Sequence, residues 1–99
     1  MNYRLHPDAA LEHEEQIAYY EERRAGLGRR YHLAMLRAID LACRAPGGFK
    51  IVRPPNLHKV SLRGFPFAVI YREVDSIVQV QVLAIAHHRR APNYWVLRT

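Results

Sequence analysis

Nine consecutive residues, His87 to Trp95, gather two imidazoles, two guanidiniums, a phenol and an indole. Imidazole titrates near neutrality, guanidinium holds phosphate or carboxylate through paired hydrogen bonds, and aromatic rings stack on bases or anchor a chain end. Lys59, Arg63 and Arg72 add cations on the preceding segments. Cleaving RNA without a metal requires a base for the 2′-hydroxyl, an acid for the leaving oxygen and cations for the crowded phosphate. His87, His88 or Glu73 would supply the base, Tyr94 or a histidinium the acid, and Arg72, Arg89 and Arg90 the cations. Arg63 and Arg72 flank one expected turn and are placed to address the same sheet face, so Lys59, Arg63, Arg89 and Arg90 form a candidate phosphate- or target-contacting set. The plainer reading of the same residues is a solvated basic face, with a structural histidine at a strand end. For Trp95 the expectation is burial in the core.

Other chemistries lack their signatures. The chain has no phosphate-cradling glycine loop, no nucleophilic-serine elbow, no dinucleotide fingerprint and no clustered Cys/His metal pattern. His87 and His88 are adjacent, a poor spacing for two ligands on one ion, so neither metal nor cofactor is expected. The single cysteine, Cys43, precludes an intrachain disulfide and sits in an apolar helical stretch as a packed thiol. No apolar run approaches the roughly twenty residues of a membrane span, and the charged N-terminus lacks a signal-peptide pattern. A cytoplasmic protein without a membrane partner is expected.

Charge is unevenly distributed. Residues 1–22 carry six acids against Arg4, while residues 23–99 carry fourteen Lys/Arg against Asp40, Glu73 and Asp75. Within a formal net charge of +6, the second part therefore stands at +11. Such a surface attracts a polyanion or an acidic protein.

The elements that must position these groups fit one domain over residues 1–99. After an extended Asn2–Leu5, His6 is the expected N-cap of a helix that opens with Pro7-Asp8 and ends near Arg24. Its expected inward stripe is Ala10, Leu11, Glu14, Ile17, Ala18 and Glu21. Gly26 and Gly28 form a hinge into a second helix, where Leu27, Tyr31, Ala34, Met35, Ala38, Ile39 and Ala42 recur at helical spacing. Ala45-Pro46-Gly47-Gly48 stops it. Residues 49–56 are expected as a loop or irregular strand, since Pro54-Pro55 opposes regular pairing. Strands follow at 58–63 and 67–73, and Val74-Asp75-Ser76 turns into a last strand, Ile77 to Ala86. In that strand Val78, Val80, Val82 and Ala84 share one face. The class is α+β: an N-terminal strand, an antiparallel helix hairpin, then a three-stranded antiparallel meander (β-α-α-β-β-β), with the helices packed on one sheet face.

Three stretches carry a resemblance over essentially the whole chain: Tyr19-Tyr20-Glu21-Glu22-Arg23-Arg24-Ala25-Gly26-Leu27-Gly28, Phe65-Pro66-Phe67-Ala68-Val69-Ile70-Tyr71, and Ala86-His87-His88-Arg89-Arg90-Ala91-Pro92-Asn93-Tyr94-Trp95. In this order they resemble the RelE/ParE superfamily of bacterial type II toxins, particularly its ParE-like plasmid stabilisation branch. The resemblance implies a toxin that arrests growth unless a cognate antitoxin binds it, with operator DNA engaged only through the antitoxin complex. ParE-like members poison DNA gyrase by binding, whereas RelE-like members cut messenger RNA on the ribosome. The Arg-Arg-x-Pro-x-Tyr-Trp ending is similar to the first branch. On the second, the catalytic residues would be Arg72, His87 or His88, and Tyr94.

Overall fold

A computed structural model describes residues 2–74, 77–91 and 93–98. The element order is β1 (Tyr3–Leu5), α1 (Pro7–Arg23), α2 (Leu27–Arg44), β2 (Lys50–Arg53), β3 (Leu57–Ser61), β4 (Phe67–Glu73) and β5 (Val80–His87), followed by a short 3-10 turn at Val96–Arg98. The five strands make one mixed sheet in the order β1-β5-β4-β3-β2. β1 runs parallel to β5, and the other neighbours are antiparallel. The expected α+β arrangement is present, with one strand more than the sequence suggested. Pro54-Pro55 does not prevent pairing over 49–56. It only ends it, because β2 pairs with β3 as far as Arg53, with a register shift after Ile51.

The helix hairpin follows from local chemistry. His6 accepts a hydrogen bond from the Asp8 N–H at 3.1 Å and caps α1. Gly26 takes φ +87°, a left-handed conformation that costs glycine little. The Glu21 carboxylate then accepts from the N–H groups of Gly26 (2.8 Å) and Gly28 (3.0 Å), so the end of α1 caps the start of α2. At Gly28 the helices nearly touch, since a Cβ there would lie 2.6 Å from the Ile17 carbonyl oxygen.

The apolar stripe of α2 packs as its periodicity predicts, with Tyr31, Met35, Ile39 and Ala42 buried against Val60, Val69, Tyr71, Val80 and Val82. Fully burying a side chain such as Ile39 contributes about 1.5–3 kcal/mol. Cys43 is buried beside them, and desolvation raises its thiol pKa, as befits a packed thiol. The α1 stripe is rotated from its expected position. Ala9 and His13 are its buried residues, while Leu11 and Ala18 are exposed. Hydrophobic periodicity misses this because the side that turns inward is partly polar and is satisfied by specific partners.

The strand leading to the site is also re-phased. β5 begins at Val80, not Ile77, which is 88% exposed. Ile70 pairs with Ala84 but Tyr71 pairs with Val82, so Leu83 is an extra residue, a β-bulge. Consequently Val80, Val82 and Ile85 face the helices, whereas Leu83, Ala84 and Ala86 pack on the opposite side with Leu57, Ile70 and Trp95. Ala84 therefore does not share a face with Val80 and Val82. Asp75 and Ser76, expected in the β4–β5 turn, and Pro92 of the ending lie outside the described residues.

Candidate functional site

The sheet face away from the helices is not an open platform. The chain after β5 folds back over it and sets Trp95 into the cluster of Leu57, Ile70, Leu83, Ala84 and Ala86. What remains at the end of β5 is a hollow of about 310 Å³. Ala68, Ile70, Ala86 and Trp95 supply apolar walls, Lys59 and Arg90 bring cations, and His87 and His88 add imidazoles. Cross-strand register explains the gathering, because Lys59 pairs with Ile70 and Ala68 pairs with Ala86. His88 donates its N–H to the Pro66 carbonyl at 3.0 Å, which ties the exit of β5 to the β3–β4 turn.

Four of the nine candidate residues thus meet, and Arg63, Arg72, Glu73, Arg89 and Tyr94 do not line that hollow. Arg89 is exposed and lines none of the described hollows. Arg63 lies against α2, in hollows shared with Arg37. Arg72 sits at the other end of β4, beside Arg53, Pro54 and Pro55, and its Nε donates to Gln81 Oε1 at 2.8 Å. Phe67 pairs with His87, so Arg72 stands five residues along β4 from the histidines, roughly 17 Å at about 3.4 Å per residue. Arg63 and Arg72 therefore do not address a common phosphate. Glu73, paired with Val80, shares the distant end.

The candidate base His87 and the candidate acid Tyr94 are each held by local contacts. His87 Nδ1 accepts the Arg89 N–H at 3.0 Å, and the ring stands edge-on to Phe67 with centroids 5.0 Å apart. With Nδ1 engaged, Nε2 is the ring nitrogen left to address a ligand. Tyr94 is clamped between two guanidiniums, with Arg90 3.6 Å and Arg98 5.1 Å from its ring centroid. Its hydroxyl is buried without a well-formed hydrogen bond, although close enough to Glu12 to be perturbed by it. Burial first, then the Glu12 charge, raises the phenol pKa against the opposing pull of Arg90 and Arg98, so its proton is harder to donate. The buried Trp95 indole nitrogen likewise has no hydrogen-bond partner among the described residues.

The residues that hold this region in place gave little sign of themselves in the sequence. Arg98 donates to both Glu12 oxygens (2.8 and 3.0 Å) and to the Leu83 carbonyl (3.0 Å), and lies 3.8 Å from Asp8. Arg90 reaches the same Glu12 at 3.2 Å. Glu12 on the acidic helix is thus the anchor of the basic tail. The only available signal was the charge asymmetry, which names no pair. Beside it, His13 Nε2 and His32 Nδ1 share a hydrogen bond of 2.8 Å across the hairpin. Burial first, then His32, pushes the His13 pKa down to about 4. Among the described residues no three His, Cys, Asp or Glu side chains are grouped to hold a metal.

Over residues 3–92 the chain matches the family model for the ParE toxin of the type II toxin-antitoxin system, parDE. The chain belongs to the ParE toxin family. The comparison with curated proteins gives no match. A ParE toxin is one component of a pair, so a cognate antitoxin is its implied partner. No helix among the described residues of this ParE-family chain is long and apolar enough to cross a membrane.

Proposed function

We propose that this ParE-family toxin arrests growth in the cytoplasm by binding DNA gyrase, without catalysing a reaction itself, and that its antitoxin neutralises it. The observation that carries this reading is the dispersal of the cleavage inventory. Arg72 is engaged by Gln81 at one end of β4 and His87, with Nδ1 occupied, stands at the other, while Tyr94 is held by Arg90 and Arg98. A metal-free ribonuclease site needs base, acid and phosphate-binding cation within hydrogen-bond reach of one phosphate. Lys59 and Arg89, on or near the rim at the β5 exit with His88 beside them, are suited instead to contact an acidic surface. Operator DNA would be engaged only by the complex with antitoxin.

The test is induction of the chain alone in growing bacteria, with labelled precursors followed into DNA and protein, alongside a supercoiling assay with purified gyrase. DNA synthesis should fall first, supercoiling should be inhibited, and Arg72→Ala and Tyr94→Phe should remain toxic. An early fall in protein synthesis that either substitution abolishes would replace this reading with a ribosome-dependent endoribonuclease.

A further inference from the structure

The geometry points to a second binding surface on the flank of α2, where the toxin receives an acidic, apolar-bearing segment of its antitoxin. The inference rests on the family assignment, which supplies the partner, and is independent of the gyrase reading. Arg30, Leu33, Arg37 and Leu41 follow one another along α2 at three- and four-residue steps, with Ala34 beside Leu33, a stripe of roughly 16 Å at about 1.5 Å per residue. Arg63 and Phe65, from the β3–β4 turn, form the opposite wall. Two hollows of about 340 and 240 Å³ share Ala34, Arg37 and Arg63, so they form one continuous groove.

Two properties of this groove distinguish it from a solvated helix face. Arg30, Arg37 and Arg63 have no carboxylate partner among the described residues. The one acid in the groove, Asp40, is paired with Arg44 at 3.0 Å. Between these guanidiniums lie exposed apolar side chains, with Leu33 38% and Leu41 50% accessible and Phe65 partly so. Uncompensated cations interleaved with apolar anchors suit a partner that alternates carboxylates with aliphatic or aromatic side chains. A nucleic acid would use the guanidiniums but leave the leucines in water, so the acidic protein segment is favoured. The outer face of α1 could not take such a segment, because Glu14, Glu15 and Glu22 are exposed there.

The test measures binding of the full-length toxin to its purified full-length antitoxin by titration calorimetry at several salt concentrations. Arg37→Glu/Arg63→Glu should weaken binding by about tenfold or more and flatten its salt dependence, since like charges then face the acidic segment. Arg4→Glu/Arg29→Glu changes net charge equally, away from the groove, and should bind like the unaltered toxin. Leu41→Ser should weaken binding without altering the salt dependence. All four substituted arginines are exposed, so unchanged circular dichroism and melting are expected of both charge variants. Equal affinity of the two charge variants would overturn the inference. So would a loss confined to binding of a single-stranded RNA 20-mer, which would make the groove a nucleic-acid surface. Affinity is read without any growth effect, so failure of the gyrase reading would leave this result interpretable.

Discussion

Replacing Arg98 tests whether the tail is fastened as the geometry implies. Arg98→Met keeps most of the aliphatic bulk and removes two hydrogen bonds to Glu12 and one to the Leu83 carbonyl. The side chains are only 13% and 18% exposed, so this pair is not the freely solvated kind that contributes almost nothing. Hydrogen bonds to charged groups are worth about 1.5–3 kcal/mol each, but these share atoms and do not add. Arg90, 3.2 Å from Glu12, also continues to compensate the carboxylate. The expected loss is about 2–3 kcal/mol. An unfolding entropy of about 2.1 cal/mol/K per residue gives roughly 0.2 kcal/mol/K for this chain, so melting should fall by about 10–15 °C.

Trp95 is the sole tryptophan and is 7% exposed, so its fluorescence reads the tail directly. In Arg98→Met its emission should shift to the red below the main transition, while far-ultraviolet dichroism stays native. A double-mutant cycle with Glu12→Met should return a coupling of about 1.5–2.5 kcal/mol. The double variant should also be more stable than Arg98→Met alone, because it no longer leaves a half-buried carboxylate short of a partner. A coupling below about 0.5 kcal/mol with unshifted Trp95 emission would refute the anchoring argument.

Two further outcomes follow from buried contacts of the hairpin. His13 has a folded pKa of about 4 against 6.5 unfolded, so the unfolded chain takes up its proton first as pH falls. Stability from this group is complete above about pH 6.5 and declines toward pH 4 by about 3 kcal/mol in all; subtracting the pH profile of His13→Phe from that of the unaltered chain should isolate this loss, and parallel profiles would contradict it. Gly28→Ala should destabilise by about 1–3 kcal/mol, since its methyl would meet the Ile17 carbonyl. Gly26→Ala meets nothing within 4 Å and should cost only about 1 kcal/mol, for its positive φ; urea titration of the two variants ranks them.

What the sequence made legible was whatever a single period encodes. The α2 stripe, the β4 span and the glycine hinge fall where spacing and backbone freedom put them, because apolar burial and positive φ leave local signatures. What stayed hidden needed a partner distant in sequence. Glu12 and Arg98 lie 86 residues apart, and His13 and His32 lie on different helices. Each is polar, so a search for apolar spacing turned α1 the wrong way. The Leu83 bulge likewise has no local mark, and it moved Ala84 to the opposite face. Of the candidate site, Lys59, His87, His88 and Arg90 converge because cross-strand register is regular there, whereas Arg63 and Arg72 were drawn together only by ignoring the length of β4.

The placement of charge argues against one convergent site and for two separate surfaces. Arg90 and Arg98 are taken up by Glu12, Arg44 by Asp40, and Arg72 by Gln81. The net charge of +6 therefore does not act as one field over the molecule. Among the described residues left free of such pairing, Lys59 and Arg89 stand near the end of β5, while Arg30, Arg37 and Arg63 stand along α2. A catalyst has to concentrate cations where charge develops in its transition state. A protein that engages a target and is restrained by a second partner gains from keeping its cations apart, because each surface can then select a different acidic pattern. A partner seated only against α2 would leave the hollow at Trp95 open. Neutralisation by that route therefore has to extend from the α2 groove toward the exit of β5, and the β3–β4 turn connects the two: Arg63 and Phe65 line the first, and the Pro66 carbonyl holds His88 in the second.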